Sequence, residues 1–141
     1  MPMIDVYATE DLFPPDADRK LAADLTAALL RAEGVMNPGP THTNNTGAYI
    51  HRMPPEAVNT AAVGAARTVR VQVLTPPGVL NRAAQRQLVA DATRIVADAC
   101  GDPTQAQRTW VLLTEAAEGG WGIAGTAFGK EEFAALAAKK P

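Results

Sequence analysis

The chain has 141 residues, of which 47% are hydrophobic and 20% charged, the composition of one globular domain. The formal net charge of −2 gives no electrostatic footprint for nucleic-acid binding. No apolar run approaches the ~18 residues of a membrane span, and no secretory signal is visible. The single cysteine, Cys100, cannot form an internal disulfide, so a cytoplasmic protein is expected. The basic pair Lys139 and Lys140 is expected to be a solvated tail.

The first predicted unit, residues 1–60, reads as strand, helix, strand. Residues 4–7 alternate in polarity and predict a strand, which a proline-bearing loop follows. Asp16 is the candidate cap of the helix, and Gly34 is expected to end it. Apolar residues recur every four positions on one face of that helix: Leu21, Leu25 and Leu29. Residues 48–51 predict the second strand.

The second predicted unit, residues 67–128, repeats this order. Residues 69–73 form a β-branched strand, and Asn81 is the candidate cap of the following helix, which Gly101 ends. Residues 109–113 predict the closing strand. The apolar stripe of the helix consists of Leu88, Ala92, Ile95 and Val96.

The two units are copies of each other. At an offset of 67 positions, residues 2–34 align with 69–101 without a gap, and nine of the 33 pairs are identical. Each β-α-β unit implies a parallel strand pair, so the expectation is an α+β fold, a single domain with a four-stranded sheet and two helices on one face. The other sheet face would be bare and apolar, which favours an oligomer.

Three segments resemble the 4-oxalocrotonate tautomerase-like proteins: WVLLTE at 110–115, GGWGIAG at 119–125 and MPMI at 1–4. The segment ARTVRV at 66–71 resembles the malonate semialdehyde decarboxylase branch. The doubled length is similar to that of the fused members of this tautomerase superfamily. The resemblance implies a homotrimer in which Pro2, freed by removal of Met1, is the general base that moves a proton between carbon and oxygen of a keto or enol acid. In the decarboxylase and dehalogenase branches the same amine acts as an acid or helps to activate water.

The chemistry of Pro2 supports that role. Removal of Met1 would leave a ring-fixed secondary amine. A free α-amino group has a pKa of about 7.7–8.0, and burial lowers it because the charged form loses solvation. A neutral amine near physiological pH is a competent base. If Met1 is retained, Pro2 is an amide and has no such chemistry.

Five further residues are candidates for substrate binding. By the alternation of the strands and the resemblance, His51, Trp110 and Trp121 are assigned to the pocket wall, with His51 a candidate proton donor or water-positioning group. Asn45 is the residue chosen from the polar run at 42–46, which could donate hydrogen bonds at the mouth of the pocket. Arg70 is a nearby cation that could replace the missing arginines. Each has a plainer alternative: a satisfied histidine, core tryptophans, an ordinary polar loop and a surface or interface charge.

The sequence departs from the family where dicarboxylate substrates are held by arginines. The corresponding positions carry Phe13, Leu80, Tyr49 and Trp110, none of which can bind a carboxylate in a bidentate manner. The 4-oxalocrotonate reaction itself is therefore disfavoured. Val69 replaces Pro2 in the second copy, so one active site per chain is expected.

The leading hypothesis is an isomerase, a keto–enol tautomerase acting on a small 2-oxo acid or related carbonyl compound. The alternatives are a lyase or hydrolytic dehalogenase of a small unsaturated or β-keto acid, and a non-catalytic oligomer if Met1 is retained. No metal site is indicated, no cofactor is expected, and neither nucleic acid nor membrane is expected as a partner.

Overall fold

The computed structural model describes residues 1–138, so the expectation for Lys139 and Lys140 lies outside the described residues. Its strands and helices follow in chain order, with short 3₁₀ turns at Pro55–Ala57 and Pro103–Arg108. They are β1 (Met3–Thr9), α1 (Asp18–Ala32), α2 (Pro40–Asn44), β2 (Gly47–Met53), β3 (Val69–Thr75), α3 (Arg82–Cys100), β4 (Thr109–Glu115), β5 (Trp121–Ile123), β6 (Thr126–Phe128) and α4 (Lys130–Ala138).

The main sheet has the strand order β2-β1-β3-β4. β1 pairs in parallel with β2 and β3 in parallel with β4, as a β-α-β crossover requires. The two units join through an antiparallel β1–β3 pair, in which Met3 lies opposite Leu74 and Tyr7 opposite Arg70. The predicted fold class, an α+β fold with a four-stranded sheet, is confirmed.

The core lies between the sheet and the two long helices. Alternate residues of the central strands, such as Val6 and Val71, are fully buried. The predicted helix stripes face the same core, with Leu29 and Val96 at 0% exposure. The helices cover one face because each crossover returns its chain on the same side of the sheet.

The opposite face of the sheet is not covered by any element of residues 1–138 and carries large apolar side chains. Tyr49 is 61% exposed, Trp110 48%, Leu112 45% and Leu74 37%. These four residues, contributed by three strands, define what is called the open face below. An apolar patch of this kind usually marks a protein–protein contact.

The helix ends agree with the predicted signals at three of four places. The Asn81 side chain accepts a hydrogen bond from the Ala84 N–H at 2.8 Å. Gly34 and Gly101 adopt the positive φ of a C-terminal cap, +84° and +66°. The prediction that Asp16 caps α1 is wrong: α1 begins at Asp18 after Ala17, without a side-chain cap. The Ala17 N–H bonds the Pro14 carbonyl, which places Asp16 inside a turn instead.

Candidate active site

Pro2 is buried directly before β1. Because β1 is antiparallel to β3 and parallel to β2, the start of β1 meets the end of β3 and the start of β2. The Pro2 carbonyl accepts a hydrogen bond from the Gly47 N–H at 3.1 Å, which fixes the chain start against β2. α1 runs back along the sheet, so its C-terminal end also reaches this edge.

A cavity of about 360 Å³ lies at this edge. Its size suits a small molecule, since ligand pockets are commonly ~300–1,000 Å³. The wall is drawn from the chain start, the end of α1, α2, the loop after β3 and the region around α4. It is formed by Met1, Glu33, Val35, His42, Pro76, Pro77, Val79, Glu118, Gly129, Lys130 and Phe133.

The amine of the chain start is paired with a buried carboxylate. The Met1 nitrogen donates a hydrogen bond to Glu33 Oε1 at 3.0 Å, and the Glu33 side chain is 5% exposed. Its other oxygen, Oε2, is buried and has no hydrogen-bond partner among residues 1–138. A carboxylate removed from water in this way depends strongly on its one cationic partner.

The sequence-based site omitted Glu33, and two signals could have revealed it. Glu33 directly precedes the glycine that ends α1, and that end of the helix must return to the start of β1. In the aligned repeats its counterpart is Cys100, so the acid occurs only in the copy that begins with the chain terminus.

His51 and Arg70, both predicted as pocket residues, lie instead on the same side of the sheet as the open face. The His51 ring stacks on Tyr7 at 4.3 Å between centroids, and its Nε2 is 2.7 Å from Asp5 Oδ1. The Arg70 guanidinium lies 4.6 Å from the Tyr7 ring centroid. Tyr7 is five residues along β1 from Pro2, roughly 16 Å at the usual rise per residue. One chain therefore does not bring these residues to Pro2.

The two predicted tryptophans are separated from each other. Trp110 is half exposed on β4, where it pairs in register with Arg70. Trp121 is 5% exposed and pairs with Phe128 in the β5–β6 hairpin. Neither contributes to the wall of the cavity beside Met1.

The polar run before β2 reaches the cavity through a different residue from the one predicted. Asn45 follows α2, and its side-chain amide donates to the Thr41 carbonyl at 2.8 Å. His42, one turn earlier, lines the cavity. The helical turn of residues 40–44, begun by Pro40, brings His42 and not Asn45 into the cavity wall, and the sequence alone did not predict that turn.

The positions at which the resemblance implies substrate-binding arginines hold no cation. Phe13 and Leu80 are buried in the core, 2% and 8% exposed. The basic side chains of the cavity wall are those of His42 and Lys130. In the part of the chain that the structure describes, no group of three or more His, Cys, Asp and Glu residues is placed to hold a metal ion. No helix in that part is long and apolar enough to cross a bilayer.

The second repeat carries the family signature. Residues 69–131 match the family model of the tautomerase enzymes. No curated protein matches the chain.

Solved structures share the fold over nearly the whole chain. One is a wild-type fused 4-OT described as a symmetric trimer, with 18% identity, a TM-score of 0.74 and coverage of 98% of this chain and 99% of that one. Pt0534, described as inactivated by 2-oxo-3-pentynoate, has 18% identity, a TM-score of 0.75 and coverage of 92% and 97%. The macrophage migration inhibitory factor-like protein of Entamoeba histolytica has 11% identity, a TM-score of 0.69 and coverage of 90% and 98%.

The duplicated sheet, with its buried chain start, defines the class: a fused, double β-α-β fold of the 4-OT type. The second repeat matches the family model of the tautomerase enzymes, and the fold of the whole chain is that of the fused 4-OT structures.

Proposed function

We propose that this protein is a keto–enol tautomerase of a small 2-oxo acid or related carbonyl compound, with the amine of Pro2 as its general base. The observation that carries the proposal is the position of Pro2, which is buried directly before β1 and follows Met1, a residue in the wall of a cavity of about 360 Å³. Met1 is part of the cavity wall, so its removal would enlarge the cavity at the point where the chain continues to the proline nitrogen.

The chemistry asked of the site is modest. In the enolisation direction the free amine takes a proton from the carbon next to the substrate carbonyl, and in ketonisation the ammonium gives a proton back to that carbon. His42 and Lys130 are the cavity residues suited to a substrate carboxylate or developing enolate, since both can donate hydrogen bonds. Neither side chain offers the bidentate fork with which an arginine holds a carboxylate.

Intact-mass spectrometry followed by an enol assay tests the proposal. The mass should lack Met1, and the protein should accelerate ketonisation of phenylpyruvate. Pro2→Ala should lower kcat/KM by roughly 10²–10⁴-fold, the usual contribution of a general base. Equal rates for Pro2→Ala and the parent, at equal thermal stability, would rule out the proline as base.

The remaining sequence-predicted site residues do not line the cavity of one chain, so their role in this proposal depends on the assembly. The fused 4-OT neighbours are described as trimers, and a homotrimer would cover the open face of each chain. In such an assembly His51, Trp110 and Arg70, which lie on the side of the open face, are proposed as walls contributed by a neighbouring subunit. The assignment of Trp121 and Asn45 to the pocket stays a prediction.

A second candidate function follows from the Met1–Glu33 pair. An amine anchored at 3.0 Å in a buried position suits a chain that retains Met1 as a structural group. That protein would be a non-catalytic oligomer. The intact mass distinguishes the two candidates, because only a chain without Met1 has a proline amine.

A further inference from the structure

We propose that Glu33 is the counter-ion of the Pro2 amine, so that Pro2 rests as a secondary ammonium and begins ketonisation as a proton donor. The inference rests on the proposed function and names the second ionisable group of the same site. Glu33 acts through Pro2 and is therefore a positioning residue.

The first support is distance. Glu33 Oε1 lies 3.0 Å from the Met1 nitrogen, which is separated from the Pro2 nitrogen by only two backbone atoms. Consecutive backbone nitrogens are about 3 Å apart, given bonds near 1.5 Å. When Met1 leaves, the new amine takes over the role of chain terminus within about 6 Å of the same carboxylate, a separation that small side-chain rotations can close.

The second support is burial. The Glu33 side chain is 5% exposed, and Oε2 has no hydrogen-bond partner within the described residues 1–138. Loss of Met1 would leave the whole carboxylate without its cation, which is costly in a buried site. A protonated Pro2 amine, with two N–H donors, supplies the charge and the hydrogen bonds that the carboxylate lacks.

The third support is the internal repeat. At the offset of 67, Pro2 corresponds to Val69 and Glu33 to Cys100, and both helices end in the same way at Gly34 and Gly101. In the copy whose first strand starts inside the chain, where no amine can exist, a neutral thiol stands in place of the acid. The carboxylate is thus found only in the unit that has a terminus to neutralise.

Three other ionisable side chains line the cavity: His42 of α2, Glu118 before β5 and Lys130 of α4. Glu118 is exposed, and its Oε1 accepts from the Lys130 backbone N–H at 2.6 Å. Lys130 is exposed and Glu33 is not, so solvent screens the charge of Lys130 more strongly than that of Glu33. Glu33 is therefore the group expected to dominate the protonation of the Pro2 amine.

An ammonium form of Pro2 favours proton donation to the substrate over proton abstraction from it. In ketonisation, the ammonium N–H bond breaks as the substrate C–H bond forms, and the proton that leaves the enol oxygen returns to the amine. The pair ends the turnover as it began. An ammonium stabilised by Glu33 is present at neutral pH, whereas enolisation requires the free amine and should become fast only at higher pH.

The experiment measures the free-amine fraction without relying on turnover. 2-Oxo-3-pentynoate is added over a range of pH, and intact mass with peptide mapping follows its addition to Pro2. In this step a C–N bond forms as the neutral nitrogen attacks the alkyne, and the N–H proton passes to the adjacent carbon. Labelling therefore reports the neutral amine. In Glu33→Gln the pH midpoint of labelling should fall by roughly one to three units, because an opposite charge is removed.

Glu33→Asp keeps the negative charge, but its side chain is one methylene shorter, so the carboxylate lies farther from the amine. The pH midpoint of labelling should then lie between those of the parent and Glu33→Gln. Glu10 is exposed and directly follows the end of β1 that is distant from Pro2. Glu10→Gln should therefore change the pH midpoint of labelling by less than about 0.2 pH units. Coincident midpoints for the parent, Glu33→Asp and Glu33→Gln would overturn the inference while leaving Pro2 as a reactive amine. A mass that retains Met1, seen before any reagent is added, would overturn the proposed function and this inference together.

Discussion

Cys100 holds in the second repeat the place that Glu33 holds in the first. It ends α3, and burial raises the pKa of its thiol, with the nearby Asp102 carboxylate adding to the effect. A raised pKa leaves less thiolate at neutral pH, and the thiolate is the nucleophile. Alkylation of Cys100 by iodoacetamide at pH 7.5 should therefore be slower in the folded protein than in the urea-unfolded chain. Equal rates would show that the thiol is not shielded.

The ends of the helices provide a second prediction at the scale of residues. Asn81→Ala removes the hydrogen bond to the Ala84 N–H and should lower the free energy of unfolding by about 1 kcal/mol. Asp16→Ala is the matched control, because Asp16 lies outside α1 and caps nothing there. Urea titrations of both variants test this, and a loss at Asp16 as large as that at Asn81 would contradict the assigned caps.

Arg52 ties β2 to the segment that precedes α1. Its guanidinium binds Asp18 at 2.7 Å and the carbonyls of Glu10 at 2.6 Å and Phe13 at 3.0 Å. Arg52→Ala should lower the free energy of unfolding by about 2–3 kcal/mol, since it leaves a charged partner and backbone acceptors without a donor. Arg52→Lys should recover only part of this, because an ammonium cannot reproduce the planar fork.

Urea unfolding measures the Arg52 effect. The control is Arg86→Ala on the exposed side of α3, which should change the free energy of unfolding by less than about 0.5 kcal/mol. If Arg52→Ala and Arg86→Ala are equally mild, the network is not a significant link between β2 and α1.

The elements that the sequence predicted are those with strong periodicity. Both long helices, the four main strands and the relation between the repeats follow from apolar spacing and glycine stops, which are local signals. α2 and α4 were not predicted, since a single polar turn and an alanine-rich end have little amphipathic pattern. Asp16 was misplaced because a turn closed by the Pro14 carbonyl competes with the cap.

The site was less predictable than the fold. Pro2 could be singled out from its chemistry, but Glu33, His42 and Lys130 reach the cavity beside Met1 from three different elements. Their meeting depends on where each helix ends and on how residues 40–44 turn, which are tertiary outcomes. Strand alternation placed His51 and Trp110 on the same side of the sheet, as observed, but could not place that side relative to Pro2.

At the scale of the whole molecule, the open face is the dominant feature. Tyr49, Leu74, Trp110 and Leu112 present an apolar surface on the side of the sheet without helices. Burying such a face in an assembly would remove much of this area from water, at roughly 25 cal/mol per Å². Beside this apolar surface, His51 pairs with Asp5 at 2.7 Å, and such polar groups would favour one orientation of the partner subunit.

We therefore expect the protein to be a trimer in light scattering and Leu112→Lys to shift it towards monomer. Leu112 is 45% exposed in one chain, and a lysine there would carry an unpaired charge into the interface, at a cost of several kcal/mol. Val89→Lys is the matched control: Val89 is 36% exposed on α3, on the helical side of the molecule, and its replacement should leave the mass unchanged. A parent protein that is monomeric at all concentrations, or a trimer unaffected by Leu112→Lys, would show that the open face is not the contact between subunits.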